Sequence, residues 1–209
     1  MASVALPFKP DLEGKTAVVI AGGPSLTRED CEYAEKSGAV LFGVNDAYRI
    51  AALDVLYASD YSWLKHHWGS FEASQTLVVS QVHGETASID LPIYHVEGRH
   101  GWDMSSKTLN FGGNSGFAAV HLASMWGAGR IVLLGFDMKA GKEKRHWFGN
   151  HPGTLHRQPG FDSWISNFER ANCPTPIINC SRDTALTCFP RSTIQETLCE
   201  ADCSDTELT

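Results

Sequence analysis

Short, β-branched apolar runs recur along the chain, and each closes on small or polar residues. Residues 16–21 (TAVVIA) stop at Gly22-Gly23-Pro24-Ser25, and the following stretch, 28–37, has helical composition. Residues 40–44 (VLFGV) lead into Asn45-Asp46. Residues 53–58 (LDVLYA) lead into Ser59-Asp60 and the polar-aromatic stretch 61–68, which reads as a helix. Two more strands are predicted over 76–80 (TLVVS) and 92–96 (PIYHV), the second opening on a proline that cannot donate to a central ladder. After the Gly-rich passage 110–116, residues 117–126 are rich in Ala, Leu and Met and stop at Gly127 and Gly129, as a helix does. Residues 131–134 (IVLL) read as a fully buried strand closing on Gly135-Phe136-Asp137, 161–171 as an amphipathic helix, and 176–179 as a last short strand. Beyond Leu198 the tail 199–209, ending ADCSDTELT, is acidic and polar and is expected to fray.

Short buried strands alternating with helices predict an α/β fold, a Rossmann-like, doubly wound and mainly parallel sheet in one domain over 1–198. Such sheets bind ligands beyond the carboxyl ends of their strands. The positions of interest are therefore Gly22 to Ser25, Asn45-Asp46, Ser59-Asp60 and Gly135 to Asp137.

Composition narrows the function. A chain of 209 residues, 43% hydrophobic and 20% charged, can build one packed core. Its net charge of −7 argues against bulk nucleic-acid binding, which needs a broad basic surface. The N-terminus has no basic leader region and no apolar run approaches the length of a membrane span, so a cytoplasmic protein is expected. Cys31 stands alone, while Cys173, Cys180, Cys188, Cys199 and Cys203 form no C-x-x-C pair, so free thiols are expected rather than a zinc site or a disulfide framework.

Two Gly-rich turns carry candidate chemistry. Gly22, Gly23, Pro24 and Ser25 lie between a strand and a helix, where missing side chains let a phosphate approach backbone N–H groups; a plain turn capped by Ser25 is the structural alternative. The pattern is neither a Walker A loop nor a dinucleotide fingerprint. Gly113, Asn114, Ser115 and Gly116 repeat the arrangement before the Ala-rich helix, so two helix starts could converge on one cleft. Asn45 suits the edge of a base or ribose, or caps the segment that follows. Asp60 and Asp137 could orient a hydroxyl, bind Mg²⁺ or act as bases, or simply cap and turn the chain. Residues 139–157 concentrate positive charge in an acidic protein: Lys139, Lys142, Lys144, Arg145 and Arg157 against Glu143 alone. Such a loop could close over a diphosphate and stabilise a leaving phosphate, or be a solvated surface segment. It also carries His146, His151 and His156, and histidine is the natural base for a hydroxyl near neutral pH. Their even spacing is not that of a zinc site. His83, His100 and His121 read as structural or solvated, and His66-His67 with Trp63 and Trp68 as one helix face, with an acceptor-side role as the alternative.

In order, VVIAGGPSL, FGVND, GNSG before an Ala-rich helix and IVLLGFDM resemble the small bacterial sialyltransferases and the related MptE-like family of 6-hydroxymethylpterin diphosphokinases and flagellin-glycosylation proteins. The resemblance covers roughly residues 16–190. It implies a nucleotide or nucleotide-sugar donor held by Gly23, Ser25, Asn45, Ser115, Gly116 and Asp137, and a general base at His151 or His146 within HWFGNH. It implies a metal-independent glycosyl transfer to a hydroxyl acceptor; the diphosphokinase branch implies instead Mg²⁺-dependent diphosphate transfer from ATP, and a nucleotide-binding or sugar-binding module without catalysis is a third possibility. Two departures stand out: Gly22 replaces an Asn, and Met138-Lys139 with the basic loop replaces tyrosines that support the departing phosphate. Proteins of this size and kind also resemble phage and prophage members, which would place the chain in a host cytoplasm. The acceptor site would come from loops, from residues 61–68, or from a neighbouring subunit in a homo-oligomer.

Overall fold

The computed structural model describes residues 9–70, 76–80, 93–96, 98–155 and 159–199. Seven parallel strands form one sheet, ordered β5-β4-β3-β2-β1-β8-β9. They are β1 (Thr16–Ile20), β2 (Val40–Val44), β3 (Val55–Ala58), β4 (Thr76–Ser80), β5 (Ile93–Val96), β8 (Arg130–Leu134) and β9 (Ile177–Asn179). A separate two-stranded pair joins β6 (Gly98–Arg99) to β7 (Leu109–Asn110). The helices are α1 (Arg28–Lys36), α2 (Tyr61–His67), α3 (Ser115–Met125), α4 (Phe161–Arg170) and α5 (Ile194–Cys199).

The strands read as continuous apolar runs because both faces of the sheet are covered. Along β1, Ala17 and Val19 enter the core on one face while Val18 and Ile20 enter the core on the other. The alternation repeats on β8, with Ile131 and Leu133 opposite Val132 and Leu134. The first core gathers α3 and α4 through Phe117, Val120 and Phe168; the second gathers α1, α2 and α5 through Cys31, Trp63 and Ile194. The sheet is thus doubly wound and Rossmann-like.

Chain order runs outward from β1 to β5 and then returns across the sheet to β8 on the other side of β1. The strand order therefore reverses between β1 and β8, the switch point at which such folds open a ligand crevice. The register aligns Ile20 with Leu134, so the two Gly-containing turns after these strands emerge side by side.

Several expectations are corrected. Ser25 is not the cap of α1: Thr27 is, in a reciprocal capping box with Asp30. Asn45 caps nothing; it is the first residue of a 3₁₀ turn, Asn45–Arg49, that has no side-chain cap. The pair β6–β7, the short 3₁₀ turn Gly153–Leu155 and α5 were not foreseen. Of the tail expected to fray over 199–209, Cys199 closes α5 and residues 200–209 lie outside the described residues, as do His83, His156, Arg157 and the side chain of Cys199. Among the described residues Cys31, Cys173, Cys180 and Cys188 are free thiols, and no helix is long and apolar enough to cross a membrane.

Candidate functional site

At the switch point the two turns are tied to each other. Ala21 N–H donates to Leu134 O at 2.8 Å and Gly23 N–H to Gly135 O at 2.8 Å. Asp137 accepts from Ser25 N–H at 2.7 Å and from the Ser25 hydroxyl at 2.8 Å, and its carboxyl is 2% exposed. Burial raises the Asp137 pKa against the lowering effect of the Ser25 bonds. A Cβ on Gly23 would lie 2.3 Å from Asp137 Oδ1, so this glycine is required by close backbone approach. Ser25 and Asp137 thus bind each other and rigidify the turn. The chain leaves Asp137 through Met138 at φ 51°, a left-handed conformation that is uncommon for a bulky residue.

The loop after β8 folds back onto the first turn. Trp147 N–H donates to Gly22 O at 3.2 Å, and His146 Nδ1 lies 3.3 Å from the same oxygen. A Cβ at Gly22 would sit 3.1 Å from that ring nitrogen, which explains why the smallest residue seats the histidine there. Gly141 packs against Pro24. Residues 146–149 are closed by reciprocal backbone bonds between His146 and Gly149, and the His146 ring stacks on Phe148. His151 meets His146 edge-on, with centroids 4.7 Å apart. Burial, then the neighbouring His151, lowers the His146 pKa.

Beyond β2 stands Asp46, a strand-end position that the sequence marked without assigning it a role. Asp46 is 3% exposed; Trp63 Nε1 donates to its Oδ2 at 2.8 Å and Arg49 Nη1 to its Oδ1 at 3.1 Å. His67 Nε2 lies 3.7 Å from Oδ1 and His151 Nδ1 3.9 Å from Oδ2. Trp63 and His67 stack on α2 and Tyr48 Oη lies 3.0 Å from His67 Nδ1, while the Arg49 guanidinium lies over Trp147 and Phe148. Both candidate bases, His146 and His151, therefore belong to one cluster joining the ends of β1 and β2, α2 and the basic loop. Its local signals were Asp46 just after a strand, the loop histidines, and Trp63 and His67 at i and i+4, which share a helix face.

Asn45 sits beside this cluster with φ 51°, and its buried Oδ1 has no hydrogen-bond partner among the described residues. Asn114 caps α3 by accepting from Phe117 N–H at 2.9 Å, and its buried Nδ2 is likewise without a partner. Ser115 hydroxyl lies 2.7 Å from that of Ser59, which fastens the start of α3 to the end of β3. Gly116 lets α3 approach the Phe136 ring, and Gly113 faces Trp164 and Asn167 of α4. Asp60 is the cap of α2, accepting from Ser62 and Trp63 N–H. Of the basic residues, Lys139 pairs with Asp183, Lys144 Nζ donates to Trp147 O at 3.0 Å, Arg145 N–H donates to Asn150 Oδ1, and Lys142 is exposed. His121 is fully buried and its Nδ1 accepts from Asn110 N–H, a structural role, and His100 is exposed.

A separate hollow of about 360 Å³ is lined by Arg99, His100, Gly101, Trp102, Asp103 and Asn110. It adjoins the Gly-rich loop through Gly112 N–H donating to Gly101 O at 3.1 Å. The Mg²⁺ implied by the diphosphokinase branch is a poor match for these residues. Asp60 and Asp137 are each engaged by N–H or O–H donors, and no group of three or more His, Cys, Asp or Glu is arranged to hold a metal among the described residues.

No family model, no curated protein and no solved structure matches the chain.

Proposed function

We propose that the protein is a transferase that binds a nucleotide or nucleotide-sugar donor over the carboxyl ends of β1, β2, β3 and β8 and transfers a glycosyl group to a hydroxyl. The observation that carries this reading is Asn45. Its left-handed backbone and buried, unpartnered Oδ1 stand at a strand end, where a ligand N–H or O–H would satisfy the oxygen. Asn114 Nδ2 offers the complementary donor at the start of α3. A ligand with one hydrogen-bond donor and one acceptor on a planar edge, such as a nucleobase, matches the two amides.

In this reading the acceptor hydroxyl oxygen attacks the sugar carbon as the bond to the nucleotide phosphate breaks, and the hydroxyl proton passes to His151. His151 is preferred to His146, because His146 is buried with its Nδ1 against Gly22 O and burial disfavours its charged form. Lys142, Lys144 and Arg145 would face the charge that develops on the leaving phosphate. Lys139 would do so only by giving up Asp183.

A thermal-shift panel of cytidine, uridine and guanosine nucleotide sugars, free nucleotides and ATP, each with and without Mg²⁺, tests the reading. Saturation at a hundredfold excess over Kd stabilises a fold by about 2.7 kcal/mol. A shift with a nucleotide or nucleotide sugar independent of Mg²⁺ is expected; a shift with ATP alone and only with Mg²⁺ would establish diphosphate transfer instead. No shift with any of them would remove both. His151→Ala is expected to keep the donor shift and lose at least about a hundredfold in turnover.

A further inference from the structure

Asp46 is a nearly inaccessible carboxylate whose two oxygens are each fixed by one donor and each face one histidine. Trp63 Nε1 holds Oδ2 and Arg49 Nη1 holds Oδ1. Arg49 is itself 45% exposed, so its charge is shared with solvent and the buried carboxylate retains capacity for a second cation. Four groups that titrate or carry charge surround it: Arg49 from its own turn, His67 from α2, and His151 with His146 behind it from the loop after β8. Tyr48 and His66 adjoin His67.

The two histidines facing Asp46 are not equivalent. His67 has its Nδ1 engaged with the Tyr48 hydroxyl and stacks on Trp63, and burial lowers its pKa against the raising effect of Asp46. His151 comes from the loop with Nδ1 3.9 Å from Oδ2, and Nε2 is the nitrogen across the ring from that contact. Phe148 borders the His151 ring with centroids 5.0 Å apart, and the same Phe148 carries the Arg49 guanidinium. Loop and carboxylate are thereby joined by two independent contacts.

We propose that Asp46 is a positioning residue for His151: its buried carboxylate, locked by Trp63 and Arg49, fixes the Nδ1 side of the ring and holds the imidazolium that forms when Nε2 takes the proton of the acceptor hydroxyl. This rests on the transferase reading, and it adds the group that makes His151 a base and keeps the ring in register. The proton moves from the hydroxyl oxygen to Nε2.

The test follows histidine ring resonances of the full chain by NMR during a pH titration. His151 is assigned by its loss in His151→Gln, and the exposed His100 serves as the internal reference. In the wild type the Asp46 carboxyl carbon is expected to show an inflection at the His151 midpoint. In Asp46→Asn the His151 midpoint is expected to fall by about 0.5 unit or more while that of His100 stays put. With a donor that turns over, Asp46→Asn is expected to lower kcat about tenfold or more, leave donor KM within about twofold, and move the acidic limb of the pH profile with the His151 midpoint. An Asp46 carbon without that inflection in the wild type, or an unmoved His151 midpoint in a folded Asp46→Asn, overturns the proposal, and the wild-type measurement decides even where the variant does not fold. The Asp46–His151 coupling seen in a protein that no nucleotide stabilises would support the pairing and refute the transferase reading.

Discussion

Gly23 and Asn45 show how single residues serve the same rim of the sheet in opposite ways. Gly23 is dictated by space: any Cβ would meet Asp137 Oδ1 at 2.3 Å and Gly135 O at 2.4 Å. Gly23→Ala is expected to destabilise the fold by about 1–3 kcal/mol in urea denaturation, because neither the backbone oxygen nor the tethered carboxylate can withdraw. Asn45 is a case of unmet hydrogen-bonding capacity. Asn45→Gly preserves access to positive φ and deletes the unpartnered oxygen, so stability should stay within about 1 kcal/mol of wild type. The nucleotide-dependent thermal shift should meanwhile correspond to about tenfold weaker binding; an unchanged shift would take Asn45 out of the donor site. The chain itself singled out both positions, as small or polar residues just after apolar runs. It could not show that Ser25 and Asp137 satisfy each other, because that bond crosses between two turns far apart in the chain.

At the scale of elements, the strands and the longer helices were legible because each must bury a periodic set of apolar side chains. The run 16–21 became β1, 117–126 became α3, and 161–171 became α4, with ends moved by one or two residues. The start of α1 shows where local signals compete. Ser25, Thr27 and Asp30 all favour a helix start, and Thr27 wins because only it bonds Asp30 N–H while Asp30 bonds back. Thr27→Ala should therefore cost about 1 kcal/mol in chemical denaturation and leave ligand binding unaffected. The strands β6 and β7 have two residues each, too few for any period to show, and α5 has six. The stretch 61–68 reads as a helix face with an acceptor-side alternative, and α2 does form there. Its Trp63 and His67 acquire their meaning from Asp46, which reaches them only because β2 and β3 are neighbours in the sheet.

For the whole molecule, folding buries imidazoles that are charged more readily in water. Burial lowers the pKa of His67, His121 and His146 below the ordinary 6.5. A depressed histidine contributes stability that is present above 6.5 and is lost as pH falls through its folded value. The melting temperature should accordingly decline on acidification below about pH 6.5, each group adding at most about 1.4 kcal/mol per pH unit. Asp137 acts in the opposite sense: its raised pKa gives stability that is full below 3.8 and fades as pH climbs through its folded value. Calorimetry across pH 5–8 checks the slope, and His121→Gln should flatten it, since protonating His121 Nδ1 would break the bond from Asn110 N–H. A flat profile in the wild type would show that these rings stay accessible to protons without unfolding. The sequence by itself determined the α/β layering and the rim of small and polar residues after each strand, because apolar period and glycine placement are local and leave their mark in order along the chain. Only the tertiary structure decided which rim residues meet. The reversal of strand order between β1 and β8 sets Ser25 against Asp137, and the return of the loop after β8 sets His146 on Gly22 and His151 beside Asp46. Those contacts depend on strand order and loop path, which no local pattern of hydrophobic and polar residues encodes.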